Sequence, residues 1–377
     1  MNRKELSSIL IKPAGPDCNL NCAYCFYLEK GELFTPARRH RMNEETLKAI
    51  YRQIGLLTNN YISLTWQGGE PTLMGLPFYR KSVELQKKYA PYKSVDYGFQ
   101  TNGINLNKFW ARFFRENNFL IGLSLDGPEH VHDKYRLNKR GKGTFGTVYD
   151  NARMLLDEDV KVNAMIAVNG YSVQFPDEIY NFHKELGLTF MQFIPILELS
   201  KEDRGINAPF SVSPDKYGEF LCRIFDLWMN DFSDGMPATS VRNFESVFFR
   251  YAGFESPECT FQNECGNYLV IEHNGNVYPC DFFVEENLLL GNVNDSLLAD
   301  MLNSPAQKEF GQLKSRREPE CAECKWLNKC FGGCTKDRLK NSADKNHFYF
   351  CESFKMFYEH SDESLTKLAN DWKAKNL

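Results

Sequence analysis

From residue 8 to about residue 235, short apolar runs alternate with longer amphipathic stretches. The runs at 9–11, 62–66, 95–99, 120–125, 162–168 and 190–194 have the length and branched or aromatic content of strands. Helical periodicity between them predicts helices over 44–57, 77–89, 107–117, 146–158, 175–186 and 214–230, with Asn43 and Pro214 as start signals. Six strands alternating with helices predict parallel βαβ units, compatible with either a flat doubly wound sheet or an open barrel. Polar or glycine-rich clusters close several strands: Gln67-Gly68-Gly69-Glu70-Pro71, Gln100-Thr101-Asn102-Gly103 and Asp126-Gly127-Pro128. Ligands of parallel α/β folds sit beyond the carboxyl ends of the strands, so these clusters mark one functional rim. Past residue 235 the alternation stops. The remainder is rich in Cys, Gly and Asn and ends in a charged helix over 362–375. The expected organisation is an α/β domain over 1–235 and a cysteine-organised domain over 236–377.

Charge and composition narrow the class. The 377 residues carry 45 Lys+Arg against 49 Asp+Glu, a formal charge of −4, with 42% hydrophobic residues. That balance offers no basic footprint, so nucleic acid is not an expected partner. No apolar run approaches the roughly 18 residues of a membrane span, and the first residues lack the apolar core of a secretory signal. The expected setting is the cytoplasm. There, 12 cysteines point to metal or catalytic use rather than disulfides. Only Cys222 stands apart, in a helical stretch, and reads as a core thiol.

Three cysteines follow the first strand as Cys18-Asn-Leu-Asn-Cys22-Ala-Tyr-Cys25, a C-x3-C-x2-C spacing. Three thiolates in one loop can hold three irons of a cubane and leave the fourth open to a small molecule. A zinc knuckle with a distant fourth ligand is the alternative. The spacing, with an aromatic before the third Cys, resembles the signature of the radical S-adenosylmethionine (SAM) enzymes. That resemblance implies a partial (β/α)6 TIM-type barrel over about residues 8–235 and a [4Fe–4S] cluster whose open iron binds SAM. Gly68-Gly69-Glu70 resembles the family's GGE element, which contacts the SAM amino group. Ser124 and Arg136 match positions that reach the methionyl carboxylate. Gly141-Lys-Gly143-Thr-Phe-Gly146 spells a dinucleotide fingerprint, yet it follows a polar stretch rather than a strand and reads as a turn before a helix.

Eight cysteines remain: Cys259, Cys265, Cys280, Cys321, Cys324, Cys330, Cys334 and Cys351. Eight thiolates make two four-ligand sets, for iron–sulfur clusters or for zinc. Their spacing resembles the iron–sulfur SPASM extension of peptide-modifying radical SAM enzymes. The resemblance implies two auxiliary [4Fe–4S] clusters, one on Cys259, Cys265, Cys280 and Cys334 and one on Cys321, Cys324, Cys330 and Cys351, hence three clusters in all. Within that class the opening block and Asp281, directly after Cys280, resemble the anaerobic sulfatase-maturating enzymes. These oxidise a Cys or Ser in an unfolded or nascent sulfatase polypeptide carrying C/S-x-P-x-R to Cα-formylglycine, fed by a donor such as flavodoxin or ferredoxin. The resemblance makes Asp281 the general base. Tyr27 and Gln67, next to the cysteine and GGE motifs, are expected to touch the peptide or the radical, with simple packing as the alternative. A thioether-forming cyclase or a peptide-cofactor maturase is the alternative within the class.

Overall fold

The computed structural model describes residues 3–34, 39–203, 205–233, 235–345 and 347–376. Their strands are β1 (Ser8–Lys12), β2 (Tyr61–Trp66), β3 (Ser94–Thr101), β4 (Leu120–Ser124), β5 (Lys161–Val168), β6 (Phe190–Pro195), β7 (Phe232–Ser233), β8 (Met236–Pro237), β9 (Ser240–Val241), β10 (Leu269–Glu272), β11 (Asn276–Tyr278) and β12 (Gly291–Asn292). All six strands expected from the apolar runs are present, joined by the expected helices. Two compact units interleave along the chain. One comprises Met1–Ser124, Arg136–Val162 and Gly266–Gly311; the other comprises Leu125–Tyr135, Asn163–Cys265 and Gln312–Leu377.

In the first unit the strand order is β12-β11-β10-β1-β2-β3-β4. The five strands from β10 to β4 pair in parallel, while β11 and β12 are antiparallel. Parallel pairing brings the carboxyl ends of β1, β2, β3, β4 and β10 to one rim, with Lys12 opposite Glu272 in register. Strand β10 was hidden in the cysteine-rich region. Its four residues, Leu-Val-Ile-Glu, are all buried, and so short a run has no period to read. Helices on this unit start where sequence chemistry says they should. The Asn43 side chain accepts from Thr46 N at 2.8 Å, and Asn107 accepts from Phe109 N and Trp110 N. Behind the sheet, Trp66, Tyr79, Phe99, Trp110, Phe114 and Phe119 pack edge to face or tilted.

In the second unit β5, β6 and β9 pair in parallel, and β7 and β8 form a small antiparallel pair. The terminal helix runs Cys351–Asn376, starting well before the expected 362. Its early turns bury Phe354, Phe357 and Tyr358, whose helical spacing is masked by the Cys- and Phe-rich sequence before them. It lies close to the helix Pro214–Asn230: a Cβ on Gly218 would stand 3.1 Å from Ser353 Cα, and Ser353 Oγ donates to Pro214 O at 2.5 Å. The helix Arg242–Ala252 also lies past the point where alternation fades, and Phe244 stacks on Phe357 at 5.3 Å. Cys222 is half-buried rather than a full core thiol, and burial pushes it up to about 11. Among the described residues no helix is long and apolar enough to cross a membrane.

Candidate active site

The loop after β1 is pinned by the loop after β2. Gly69 N donates to Gly15 O and Glu70 N to Asp17 O, both at 2.8 Å. A Cβ on Gly69 would lie 2.1 Å from Asp17 O, so only glycine lets the two backbones meet. Gly68 adopts φ +119, which again favours glycine. Immediately past Asp17, Cys25 N donates to Cys22 O and Leu20 N to Cys18 Sγ. Burial, then the nearby Glu70, Cys22 and Cys25, push the Cys18 thiol up to about 12; burial also raises Cys25, against Arg136 and Lys12. Metal binding displaces such protons, and three thiols gathered from one loop fit three irons of a cubane.

Glu70 is fully buried and its carboxylate is committed. It accepts from Thr72 N, Thr72 Oγ1 and Thr101 Oγ1 on one oxygen and from Asn102 N on the other, at 2.6–2.9 Å. The side chain ties the end of β3 to the glycine turn, leaving the backbone as what this motif can present to a ligand. Asn102, in the rim cluster that closes β3, sends its amide to Asn19 Oδ1 at 2.7 Å and Cys18 Sγ at 3.6 Å. Ser124 ends β4, half-buried. Arg136 places its guanidinium 5.5 Å from the Tyr24 ring centre, in the dipeptide between Cys22 and Cys25.

Asp281 is buried in a second group of side chains. Gln67 Nε2 donates to Asp281 Oδ2 at 3.2 Å, and Lys12 Nζ stands 2.5 Å from Oδ1. Lys12 is fully buried, with its ammonium 3.6 Å from the Tyr27 ring centre. The Tyr27 hydroxyl donates to Glu272 Oε1 at 2.5 Å, so its phenol is turned to β10; burial and Glu272 push it well above its ordinary value. Tyr268 donates to Cys280 Sγ, and Asp281 N donates to the Tyr268 hydroxyl, both at 3.3 Å. The structure thus joins Asp281, Gln67 and Tyr27, as singled out in the sequence, with Lys12, Glu272 and Tyr268, which were not.

In the second unit Cys321, Cys324, Cys330 and Cys351 line one cavity together with Trp326 and Tyr358. This is the four-thiol set implied by the SPASM resemblance, and it fits a cubane. Cys259, Cys265 and Cys334 lie in the same unit, where their thiols bear on the buried Lys314 ammonium. Cys280 belongs to the first unit beside Asp281. None of the twelve cysteines forms a disulfide.

A serine-type anaerobic sulfatase-maturating enzyme of Bacteroides thetaiotaomicron is 39% identical over 369 residues, covering 93% of this chain and 88% of that relative. The chain belongs to the anaerobic sulfatase-maturating enzymes. A cysteine-type member from Clostridium novyi is 37% identical over 364 residues, covering 96% and 97%. Native anSMEcpe with bound AdoMet and Cp18Cys peptide superposes with a TM-score of 0.88 at 33% identity, over 97% of this chain and 99% of that one. The Radical SAM superfamily matches residues 13–183, and the iron–sulfur cluster-binding SPASM domain matches residues 259–325. As a radical SAM member of this family it is an enzyme that modifies a protein, with the mixed α/β, mostly parallel fold expected from the alternation.

Proposed function

We propose that this maturating enzyme oxidises a Cys or Ser side chain in a sulfatase polypeptide carrying C/S-x-P-x-R to Cα-formylglycine. The observation that carries the reading is Asp281, buried next to Cys280 with its two oxygens held by Gln67 and Lys12. Bound SAM and three [4Fe–4S] clusters supply abstraction of a Cβ hydrogen and a destination for the leftover electron. The chain's own residues do the rest. Cys18, Cys22 and Cys25 hold the SAM cluster. The backbone of Gly68, Gly69 and Glu70 meets the SAM amino group, and Ser124 with Arg136 meets its carboxylate. Asp281 takes the thiol or hydroxyl proton at a carboxylate oxygen held in place by Lys12 and Gln67; a Ser target is then the aldehyde, whereas a Cys target is a thioaldehyde that water converts to the aldehyde with release of hydrogen sulfide. Tyr27 acts through its ring, which walls Lys12 into place. Residues 1–235 supply the SAM chemistry. Residues 236–377 carry the auxiliary sets Cys259, Cys265, Cys280, Cys334 and Cys321, Cys324, Cys330, Cys351. A small reduced electron carrier, flavodoxin or ferredoxin, serves the enzyme in the cytoplasm.

The deciding experiment incubates the reconstituted, reduced enzyme with SAM and peptides bearing C-x-P-x-R or S-x-P-x-R. An aldehyde trapped by a hydrazine reagent is the expected product. A thioether-bridged peptide with no aldehyde, or an untouched peptide alongside SAM cleavage, would overturn the assignment.

A further inference from the structure

Arg338 is a buried cation without a carboxylate. It is 6% exposed, and among the described residues it forms no ion pair. Nη1 donates to Arg316 O at 2.7 Å, while Nη2 donates to Leu313 O at 3.0 Å and reaches Thr335 Oγ1 at 3.4 Å. Nε is buried with no acceptor. Burying a guanidinium so incompletely matched costs several kcal/mol per ion, so its retention calls for an anion at the site. Two observations say where that anion would be. Arg338 lines the cavity formed by Cys321, Cys324, Cys330 and Cys351. Thr335 Oγ1, which Arg338 Nη2 reaches, lies 3.5 Å from Cys265 Sγ, a thiol of the other auxiliary set. The sulfur charges that bear on Arg338 are accordingly those of Cys265, Cys334 and Cys321, from both sets.

We propose that Arg338 is a positioning residue for electron exit: its charge stands between the two auxiliary cluster sites, and its Nε–H donates to a sulfur of the cluster in the Cys321/Cys324/Cys330/Cys351 cavity. This rests on the reading that both sets hold cubanes. Reduction potentials of such clusters are set by net charge and by hydrogen bonds to sulfur. A fixed cation stabilises the form carrying the extra electron, and Arg supplies it at every working pH. No bond forms or breaks at Arg338; it changes only how readily an auxiliary cluster holds the single electron that leaves the substrate.

EPR-monitored redox titration of the full-length, reconstituted Arg338→Gln enzyme tests this. At fixed ambient potential the reduced-to-oxidised ratio of at least one auxiliary cluster should fall about tenfold, equivalent to 59 mV for one electron. Arg338→Lys, which keeps the charge but loses the Nε–H, should fall by a smaller factor, about threefold. Unshifted ratios in an iron-replete Arg338→Gln protein would overturn the proposal. Should that variant shed iron, an iron-replete Arg338→Lys protein with the parent ratio would do so. Failure of the underlying reading looks different, because the parent enzyme itself would then lack the iron of the auxiliary sites.

Discussion

Lys12 and Asp281, 269 residues apart, meet in the protein interior, with Lys12 Nζ 2.5 Å from Asp281 Oδ1 and 3.4 Å from the Asp281 carbonyl oxygen. The lysine ends β1 and the aspartate follows a cysteine in the loop after β11. The contact is a close ionic one rather than an aligned hydrogen bond, since Oδ1 has no donor of good geometry. It supplies the counter-charge that a buried carboxylate needs.

Removing one member of a buried pair leaves the other uncompensated. Lys12→Met should therefore destabilise the protein by about 3–5 kcal/mol, a typical range for breaking such a pair. Lys12→Met combined with Asp281→Asn should recover part of the loss, because neither member of the pair is then left facing an absent partner. Urea unfolding midpoints of the four proteins in the cycle measure the coupling. Additive losses would mean that the two groups do not depend on each other.

Asp281→Asn keeps the shape and removes the proton acceptor. Formylglycine yield should fall by about 10²–10⁴-fold, the usual worth of a general base, while 5′-deoxyadenosine continues to appear. Chromatography of both products from the same reaction separates the steps. Peptide oxidation at the parent rate would make Asp281 an ordinary loop residue.

The sequence exposed what has a local signature and hid what depends on distant pairing. The cysteine spacings and Gln67-Gly68-Gly69-Glu70 are short and chemically distinctive, and the alternation of apolar runs needs no partner to be seen. Lys12 has no such mark. Lysines are almost never fully buried unless paired, and this one becomes buried where β10 and β2 flank β1. Glu272 is legible as a rim residue only after β10 is placed opposite β1. The Glu70 carboxylate stands in a legible motif, but its four hydrogen bonds to residues 72, 101 and 102, which tie the glycine turn to the end of β3, are visible only once β3 is placed beside β2.

A buried histidine should give the protein an acid limit. His183 is fully buried, with Nδ1 2.7 Å from Ile179 O and Nε2 2.9 Å from Leu125 O. Burial depresses its folded pKa below the ordinary 6.5, against those two carbonyls and Asp126. Below pH 6.5 the unfolded chain binds the proton that the folded chain refuses, so stability is full above that pH and declines as pH falls toward the folded value. His183→Gln should flatten the loss of unfolding midpoint between about pH 7 and pH 5.5, even if it starts less stable. Parallel slopes for the two proteins would show that His183 does not set the limit.

Gly69 tests whether the glycine turn serves the cysteine loop as well as the cosubstrate. A methyl group at this position would collide with Asp17 O, the atom that accepts from Glu70 N one residue before Cys18. A backbone oxygen cannot rotate away, so Gly69→Ala must push the loop off β2. The expected result is loss of about four of twelve irons, the share of one cubane, together with loss of SAM binding by calorimetry. The auxiliary cysteines lie elsewhere in the chain and should keep their iron. Gly146→Ala is the matching control, because an added Cβ there meets nothing within 4 Å and the position lies in the first turn of the helix Phe145–Asp157. Alanine favours that turn by up to about 1 kcal/mol over glycine, so iron and SAM binding should be unchanged. A Gly69→Ala enzyme with full iron and normal SAM affinity would show that the two loops are not mechanically joined.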